Sequence, residues 1–304
     1  MTATVTETPP EAPAPPCPVT VEPVEERRGS FPIFLAVALI TLLWTIPSLG
    51  LLINSFREPS SIRQSGWWTV FGNLFAEGAW TVSNYSTVLE GGFGNAFANT
   101  LAVTIPSVVI PLTVAAFAAY AFAWMEFPGR NLIFVTIVGL MVVPLQMALI
   151  PILRIYTGFE LNGTYPAVWL AHAGFGLPLA VYLLRNYIGS LPGSLIESAK
   201  IDGADHFRIF TRLIIPLSVP VLASFAIFQF LWVWNDFLVA LVFLGLDPAN
   251  RVLTVELADL AGRGEGALNL LPAAAFVTMI LPLVVFFSLQ RFFVRGLTVG
   301  SVKG

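Results

Sequence analysis

Six stretches without a charged side chain, each long enough to cross a bilayer, set the fold class of this chain. They run over Gly29–Phe56, Gly91–Met125, Asn131–Leu153, Leu161–Leu184, Leu213–Asn235 and Gly266–Gln290. A helix needs about 20 mostly apolar residues to cross the hydrocarbon layer. In lipid every backbone polar group must be satisfied inside the protein, so such stretches read as helices. The remaining uncharged stretches, such as Gln64–Ala76, are too short. The chain is 56% hydrophobic and 11% charged, against roughly 25% charged in soluble domains, which excludes a set of buried helices in a soluble fold. The expected architecture is all-α and polytopic, with spans at about 31–54, 95–123, 131–153, 165–185, 214–244 and 271–291. The fifth is carried past Asp236 to Leu244. Pro47, Pro106, Pro111, Pro144, Pro178, Pro220 and Pro282 fall inside spans, where neighbouring helices or water can satisfy the freed carbonyls.

Residues 1–30 form a separate region by composition. They are rich in Pro, Thr, Ala and Glu and lack apolar periodicity, so they are expected to be a disordered cytoplasmic tail. The acidic, proline-rich start does not resemble a secretory signal. Cys17 is the one cysteine, so no intramolecular disulfide forms. With the N-terminus inside, ten Lys and Arg fall in inner segments: Arg27, Arg28, Arg130, Arg185, Lys200, Arg208, Arg212, Arg291, Arg295 and Lys303. Arg57, Arg63, Arg154, Arg251 and Arg263 fall outside. The excess predicts that both termini are cytoplasmic and that residues 31–304 form the transmembrane domain. A net charge of −3 without a basic stripe gives no reason to expect nucleic acid.

Two outer loops differ in character. Arg57–Glu90 holds Trp67, Trp68, Trp80 and Tyr85, residues that commonly mark the membrane interface. Leu246–Leu271 is polar, with Gly262, Gly264 and Gly266 close together, and reads as a flexible connector or a reach toward an external partner.

The inner stretch Glu197–Pro216 is rich in charge between two apolar spans. Ala204, Phe207, Phe210 and Ile214 recur at helical spacing, with Asp205, Arg208 and Arg212 on other faces. Leu195, Ile196 and Ala199 give a second short apolar face, and Gly203 between the two permits a sharp turn. Asp202 is placed to cap the second helix and Asp205 to favour its N-terminus. Pro216 marks the change of direction into the fifth span. The spacing predicts a helix–turn–helix on the cytoplasmic face. Periodicity alone fits equally a surface-lying amphipathic connector without a partner.

Glu197-Ser198-Ala199, three residues, Gly203, nine residues, then Leu213-Ile214-Ile215-Pro216 resembles the EAA loop of ATP-binding-cassette importer permeases. Ser198 replaces Ala, Leu213 replaces Ile and Ile215 replaces Leu in that pattern. The chain also resembles MalG-type carbohydrate permeases in Asn99-Thr100, Pro144, Gln146, Trp234-Asn235-Asp236-Phe237 and the tail Gln290–Thr298. Tyr156–Thr164 is most similar to α-glucoside permeases. The resemblance covers all but the N-terminal tail and implies the type I importer permease fold. It implies import of an oligosaccharide or α-glucoside, driven by a MalK-like ATPase dimer that holds the ATP and Mg. It also implies a MalF-like second permease and an extracytoplasmic sugar-binding protein as partners, besides membrane lipid.

In this resemblance the loop docks on the ATPase through Glu197, Ser198, Ala199, Asp202, Gly203, Ala204, Phe207, Phe210 and Pro216. Gly203 is the turn, Glu197 the polar anchor, and Phe207 and Phe210 pack. Gly262, Arg263, Gly264, Glu265 and Gly266 fall in the loop that meets the binding protein. The tail from Arg295 to Gly304, with Lys303, reaches the ATPase. The chain has no G-x-x-x-x-G-K-[ST] phosphate loop, no nucleophile triad and no paired carboxylates, so it reads as a transport subunit and not as an enzyme.

Gln229, Trp232 and Asp236 fall at i, i+3 and i+7 in the fifth span, with Asn235 beside them. Such a stripe suits a sugar path, with stacking for the apolar face and hydrogen bonds for the hydroxyls. Counting from Pro216 places Asp236 about 30 Å along the helix, so cavity lining and a solvated interface position are both open for it. His172 reads as structure or as a proton relay, and Gln146 and Asn99 as helix-packing amides. A self-contained secondary transporter and a non-transporting scaffold are the competing classes. The lack of intramembrane acid–base pairs and of visible repeats argues against the first.

Overall fold

The computed structural model describes residues 31–72 and 80–298, with side chains as far as Gln290. Among these residues every regular element is helical. Helix α1 covers Phe31–Ser55, α2 Pro59–Gln64, α3 Ser83–Val88 and α4 Gly94–Trp124. Next come α5 at Arg130–Gly139, α6 at Leu145–Gly158, α7 at Tyr165–Gly189, α8 at Gly193–Ile201 and α9 at His206–Ile209. The last five are α10 Ile215–Leu217, α11 Val219–Trp234, α12 Leu238–Leu244, α13 Leu253–Gly262 and α14 Leu270–Thr298. The chain divides into two compact units, Met1–Pro47 and Ser48–Gly304. The described part of the first is the apolar beginning of α1. The packing and the site described below belong to the second.

Four helices are long and apolar enough to cross a membrane as single rods: Phe31–Ser55, Ser83–Trp124, Tyr165–Gly189 and Leu270–Gln290. The count reaches six if each of two bent pairs is one span. The first pair is the expected third span, which is therefore not the straight helix that its apolar run suggests; the second joins the end of the expected helix–turn–helix to the expected fifth span.

In the third, Arg130–Val142 and Leu145–Gly158 meet at 105°. Val143 and Pro144 both take extended backbone, with ψ of 117° and 124°. Proline pushes the residue before it out of the helical region and has no N–H to continue the ladder. Pro106, Pro111, Pro178 and Pro282 stay inside continuous helices. The bend lays α5 against α7 and turns α6 toward α12, and it leaves a cavity of about 350 Å³ lined by Met141, Val143, Ile152, Leu170, Phe175 and Pro178.

The fifth run bends by 72° between His206–Leu217 and Val219–Trp234. The turn falls at Ser218, two residues past Pro216, because Pro220 sits in the first turn of α11 and starts a new helix there. That helix ends at Trp234, short of the expected Leu244. Asn235 to Phe237 lie between α11 and α12.

Helices α4 and α7 form the centre and run parallel. The Tyr165 hydroxyl donates to Asn99 Oδ1 (2.8 Å), Trp169 Nε1 to the Ala102 carbonyl (2.9 Å) and, at the far end, Trp124 Nε1 to the Ile188 carbonyl (3.1 Å). The apolar surroundings of a membrane give helices little reason to associate, so close packing of small residues has to do it. Ala115, Ala116 and Ala119 of α4 share one buried cluster with Ala180 and Val181 of α7. Helix α11 crosses them in the opposite sense, with Phe225 in that cluster and Val233 beside Val103 and Val168 in another. Trp234, fully buried, joins α11 to α14 by donating from Nε1 to the Thr278 carbonyl (3.0 Å).

The stretch 246–271 is not an open connector. It carries α13, whose Leu253, Val255 and Leu260 are buried. The Asn99 amide donates to the carbonyls of Ala249 (2.8 Å) and Arg251 (2.9 Å), and the Leu253 N–H to Thr100 Oγ1 (2.9 Å). The loop after α1 is anchored by Arg57, only 2% exposed. Its guanidinium donates to Asn54 Oδ1, to the Ser61 and Ser65 carbonyls and to Ser65 Oγ. Burial pulls its pKa below the ordinary arginine value.

Candidate functional site

The segment from α8 to α10 sits where α4 and α7 end. Its hinge is built from backbone hydrogen bonds. Gly203 has φ +77°. Its N–H donates to the Lys200 carbonyl and the Ala204 N–H to the Ala199 carbonyl, each at 3.0 Å. This pair of bonds is the Schellman closure of a helix, which places one left-handed residue just past the C-cap and usually makes it glycine. The C-cap is Asp202.

Helix α9 begins three residues later than a cap at Asp202 would allow. Asp205 is its N-cap and accepts from the Arg208 N–H at 2.7 Å. Asp202 therefore closes the first helix, and Asp205 does the capping expected of Asp202. The reason is local: with Gly203 left-handed, Ala204 is spent on the turn and the next extended residue is Asp205.

From Phe210 to Ile214 the winding widens into a π-turn, which adds a residue to the turn and shifts the register. Ile196, Ile209, Phe210 and Ile214 point into the bundle core. Phe210 stacks on Phe117 of α4 at 4.5 Å between ring centroids and meets Tyr120 at 5.5 Å. Phe207, expected on the same face, is 67% exposed. The winding between them is ordinary α-helix, which puts Phe207 about 60° round from Phe210, and the buried face is the one shared by Ile209 and Phe210.

The outward face combines two apolar residues with a charged rim. Ile201 is 85% exposed, and Phe207 stands on the other side of the Gly203 turn. Around them Glu197, Ser198, Lys200, Asp202, Asp205, Arg208 and Pro216 are exposed, while Ala199 and Ala204 are half-buried against the core. An apolar tip with a charged surround has the composition of a small protein-docking surface.

The four residues expected on a sugar path part company. Gln229 is fully buried, and its amide donates to the carbonyls of Ser107 and His172 at 3.2 Å each. It lies against Gly176, where a Cβ would stand 2.5 Å from Gln229 Oε1. Gln229 is a helix-packing amide inside this chain's own crossing of α4, α7 and α11, so it does not open onto a surface. Trp232 is half-buried, edge-on to His172 at 5.3 Å. Asn235 is exposed and donates to the Leu231 carbonyl (2.7 Å).

Asp236 is a junction. Its carboxylate accepts from the Val239 N–H (3.3 Å) and the Ala240 N–H (2.9 Å), and lies 3.6 Å from His172 Nε2. Its carbonyl accepts from Thr254 Oγ1 (2.5 Å) of α13. It starts α12, which is the local reason for the break after Trp234. His172 is buried, and among the described residues neither ring nitrogen has a hydrogen-bond partner. Asn99 packs as expected, whereas Gln146 is on an exposed face.

Gly262, Arg263, Gly264, Glu265 and Gly266 form the exposed tip after α13. Gly264 has φ +60°. Arg263 donates to Asp259 at 2.7 Å. That bond lowers the carboxyl pKa of Asp259 and raises that of Arg263. The tail 1–30 with Cys17, the Arg295 side chain and Lys303 lie outside the described residues. Sequence reasoning missed α13 and the bond between the Tyr120 hydroxyl and His206 Nδ1 (2.9 Å). The apolar spacing of Val252, Leu253, Val255 and Leu260 was the available signal for the first. The second joins residues 86 apart and has no local signal.

Residues 97–299 match the model of the family described as binding-protein-dependent transport system inner membrane component. The osmoprotective compounds uptake permease protein GgtD of Synechocystis sp. is 55% identical over 90% of this chain and 92% of its own. The alpha-glucoside transport system permease protein AglG of Rhizobium meliloti is 42% identical over 93% of this chain and all of its own. Among solved structures, a bacterial ABC transporter involved in the import of the acidic polysaccharide alginate superposes with a TM-score of 0.72. It covers 86% of this chain and 96% of that one, at 22% identity. The likeness shows that the all-helical fold is that of type I importer permeases. With the helix–turn–helix at Gly203 and this match over two thirds of its length, the chain belongs to the binding-protein-dependent transport system inner membrane components.

Proposed function

We propose that this chain is the transmembrane subunit through which an ATP-binding-cassette importer takes up a sugar, an oligosaccharide or α-glucoside. The carrying observation is the hinge at Gly203, which presents Ile201 and Phe207 to solvent while Ile209, Phe210 and Ile214 hold the same segment to α4 and α7. In this reading the outward face docks on a separate ATPase, which binds ATP and Mg. Glu197, Asp202 and Arg208 supply the charged rim, and both termini are cytoplasmic. The Gly262–Gly266 tip then faces an extracytoplasmic binding protein, and a second, related permease completes the path. Trp232, Asn235 and Asp236 remain as the part of the sugar stripe with access to a surface. The alginate importer has been solved in complex with alginate pentasaccharide-bound periplasmic protein, which supports a similar arrangement here.

Docking is tested with cysteine at Phe207 in a chain with Cys17→Ser. A short bifunctional thiol reagent is expected to link this position to the ATPase in the assembled importer, with no link from cysteine at Gly264. A link from Gly264 and none from Phe207 reverses the orientation and refutes the docking. The cargo is read from binding-protein-dependent ATP hydrolysis in the presence of α-glucosides. Because one relative is named for osmoprotective compounds, an osmoprotective solute is the second set of ligands. Stimulation by neither class would remove the sugar assignment.

A further inference from the structure

We propose that Tyr120 and His206 are positioning residues that fix the docking segment in register on α4, so that α4 carries its displacement to the loop at the other end of the bundle. This rests on the docking reading above and adds a route for the motion.

The segment touches the core mainly through Ile196, Ile209, Phe210 and Ile214. Apolar contact resists separation but is non-directional, so by itself it allows the segment to slide. Directional contacts are few. Among the described residues, two side-chain hydrogen bonds join the segment to the long helices: Tyr120 to His206 on α4, and the Tyr187 hydroxyl to the Leu217 carbonyl (3.1 Å) on α7. The first lies at the hinge. His206 directly follows the cap Asp205 and opens α9. Tyr120 is buried in α4 one turn before its end, with its ring against Phe210. Either ring tautomer of His206 keeps the bond: a bare Nδ1 accepts from the hydroxyl, and an Nδ1–H donates to it.

The other end of α4 is held just as specifically. Asn99 donates to the Ala249 and Arg251 carbonyls, and Thr100 accepts from the Leu253 N–H. One unbroken helix, Gly94–Trp124, therefore has a hydrogen-bonded joint to each of the two partner-facing segments. The joints are 21 residues apart along it, about 30 Å.

The test uses the assembled importer in liposomes and compares ATP hydrolysis with and without the loaded binding protein. Tyr120→Phe keeps the ring and removes the hydroxyl. Basal hydrolysis is expected to stay within about 2-fold. Stimulation by the binding protein is expected to fall about 2- to 12-fold, the range that one net hydrogen bond spans. His206→Leu should do the same, and His206→Asn, which keeps an acceptor near Nδ1, should recover most of the stimulation. Thr100→Val at the far end should match Tyr120→Phe. The double variant should be no worse than either single one, although sites this far apart normally combine independently.

Unchanged stimulation in Tyr120→Phe, or effects that multiply in the double variant, would overturn the inference. Gly203→Val separates the two levels. If it uncouples and Tyr120→Phe does not, only the route through α4 falls. If Gly203→Val also leaves stimulation intact, the docking reading falls first.

Discussion

Gly203 offers a test in which backbone strain and partner sterics give opposite results. Its φ of +77° is in the left-handed region, and a Cβ built there meets nothing within 4 Å. Within this chain, then, a side chain at 203 costs only backbone strain. For an ordinary L-residue that is about 1–2 kcal/mol, enough to shift the closed-turn equilibrium about 5- to 30-fold. Asparagine tolerates this region much better, and a β-branched residue tolerates it worst. The series Gly203→Asn, Ala, Val should therefore lose coupled uptake in that order in the reconstituted importer, with Asn close to wild type. Expression and thermal unfolding in detergent should change little, because the turn is at the surface. If asparagine and valine are equally damaging, the loss comes from a partner surface lying against the Cβ position and the strain argument fails. If all three transport like the parent, the Schellman closure has no part in function.

Three further outcomes follow from packing and charge. Gly176→Ala places a methyl against a buried amide tied to two carbonyls; it should lower stability by about 1–3 kcal/mol in thermal unfolding, and adding Gln229→Ala should restore part of it. Asp236→Ala leaves two N–H groups of the first turn of α12 without their acceptor and should cost about 0.5–2 kcal/mol, with Asp236→Asn milder because one oxygen still accepts. Asp259 has its carboxyl pKa lowered by the hydrogen bond from Arg263, so the contribution of this pair is present at neutral pH and is lost as pH falls through that lowered value. Amide exchange in α13 should speed up in acid relative to Asp259→Asn, and, since the pair is exposed, salt should produce part of the same change at pH 7.

The apolar runs made the fold class legible, and the gapped pattern from Glu197 to Pro216 made the docking segment legible, because both are properties of neighbouring residues. What was hidden depends on other parts of the chain. Nothing local separates Pro144, which breaks its span by 105°, from Pro178, which sits inside a continuous helix; the difference is that α5 packs on α7 while α6 turns away toward α12. Gln229 looked like a path residue because i, i+3, i+7 spacing reports a shared face and not what that face meets, and here it meets Ser107 and His172. For Asp236 the count along the helix left cavity lining and a solvated interface position open. The residue is accounted for once the helix is seen to stop at Trp234 and α12 to need a start. The assignment of Phe207 and Phe210 to one face failed because the core takes the side shared by Ile209 and Phe210, which leaves Phe207 at the edge of the buried stripe.

The docking segment meets two sets of demands on one short piece of chain. Ile196, Ile209, Phe210 and Ile214 are committed to the bundle core with Ala119, Leu184 and Ile188. The stretch between the first two, Glu197 to Arg208, is mostly at the surface and answers to whatever it docks against. Because buried anchors flank that stretch on both sides, its outward side chains can be substituted to fit a different ATPase while the anchors and the Tyr120–His206 bond keep their place. Grafting the exposed residues of Glu197–Arg208 other than His206 from a related permease should therefore transfer partner choice without disturbing the membrane fold.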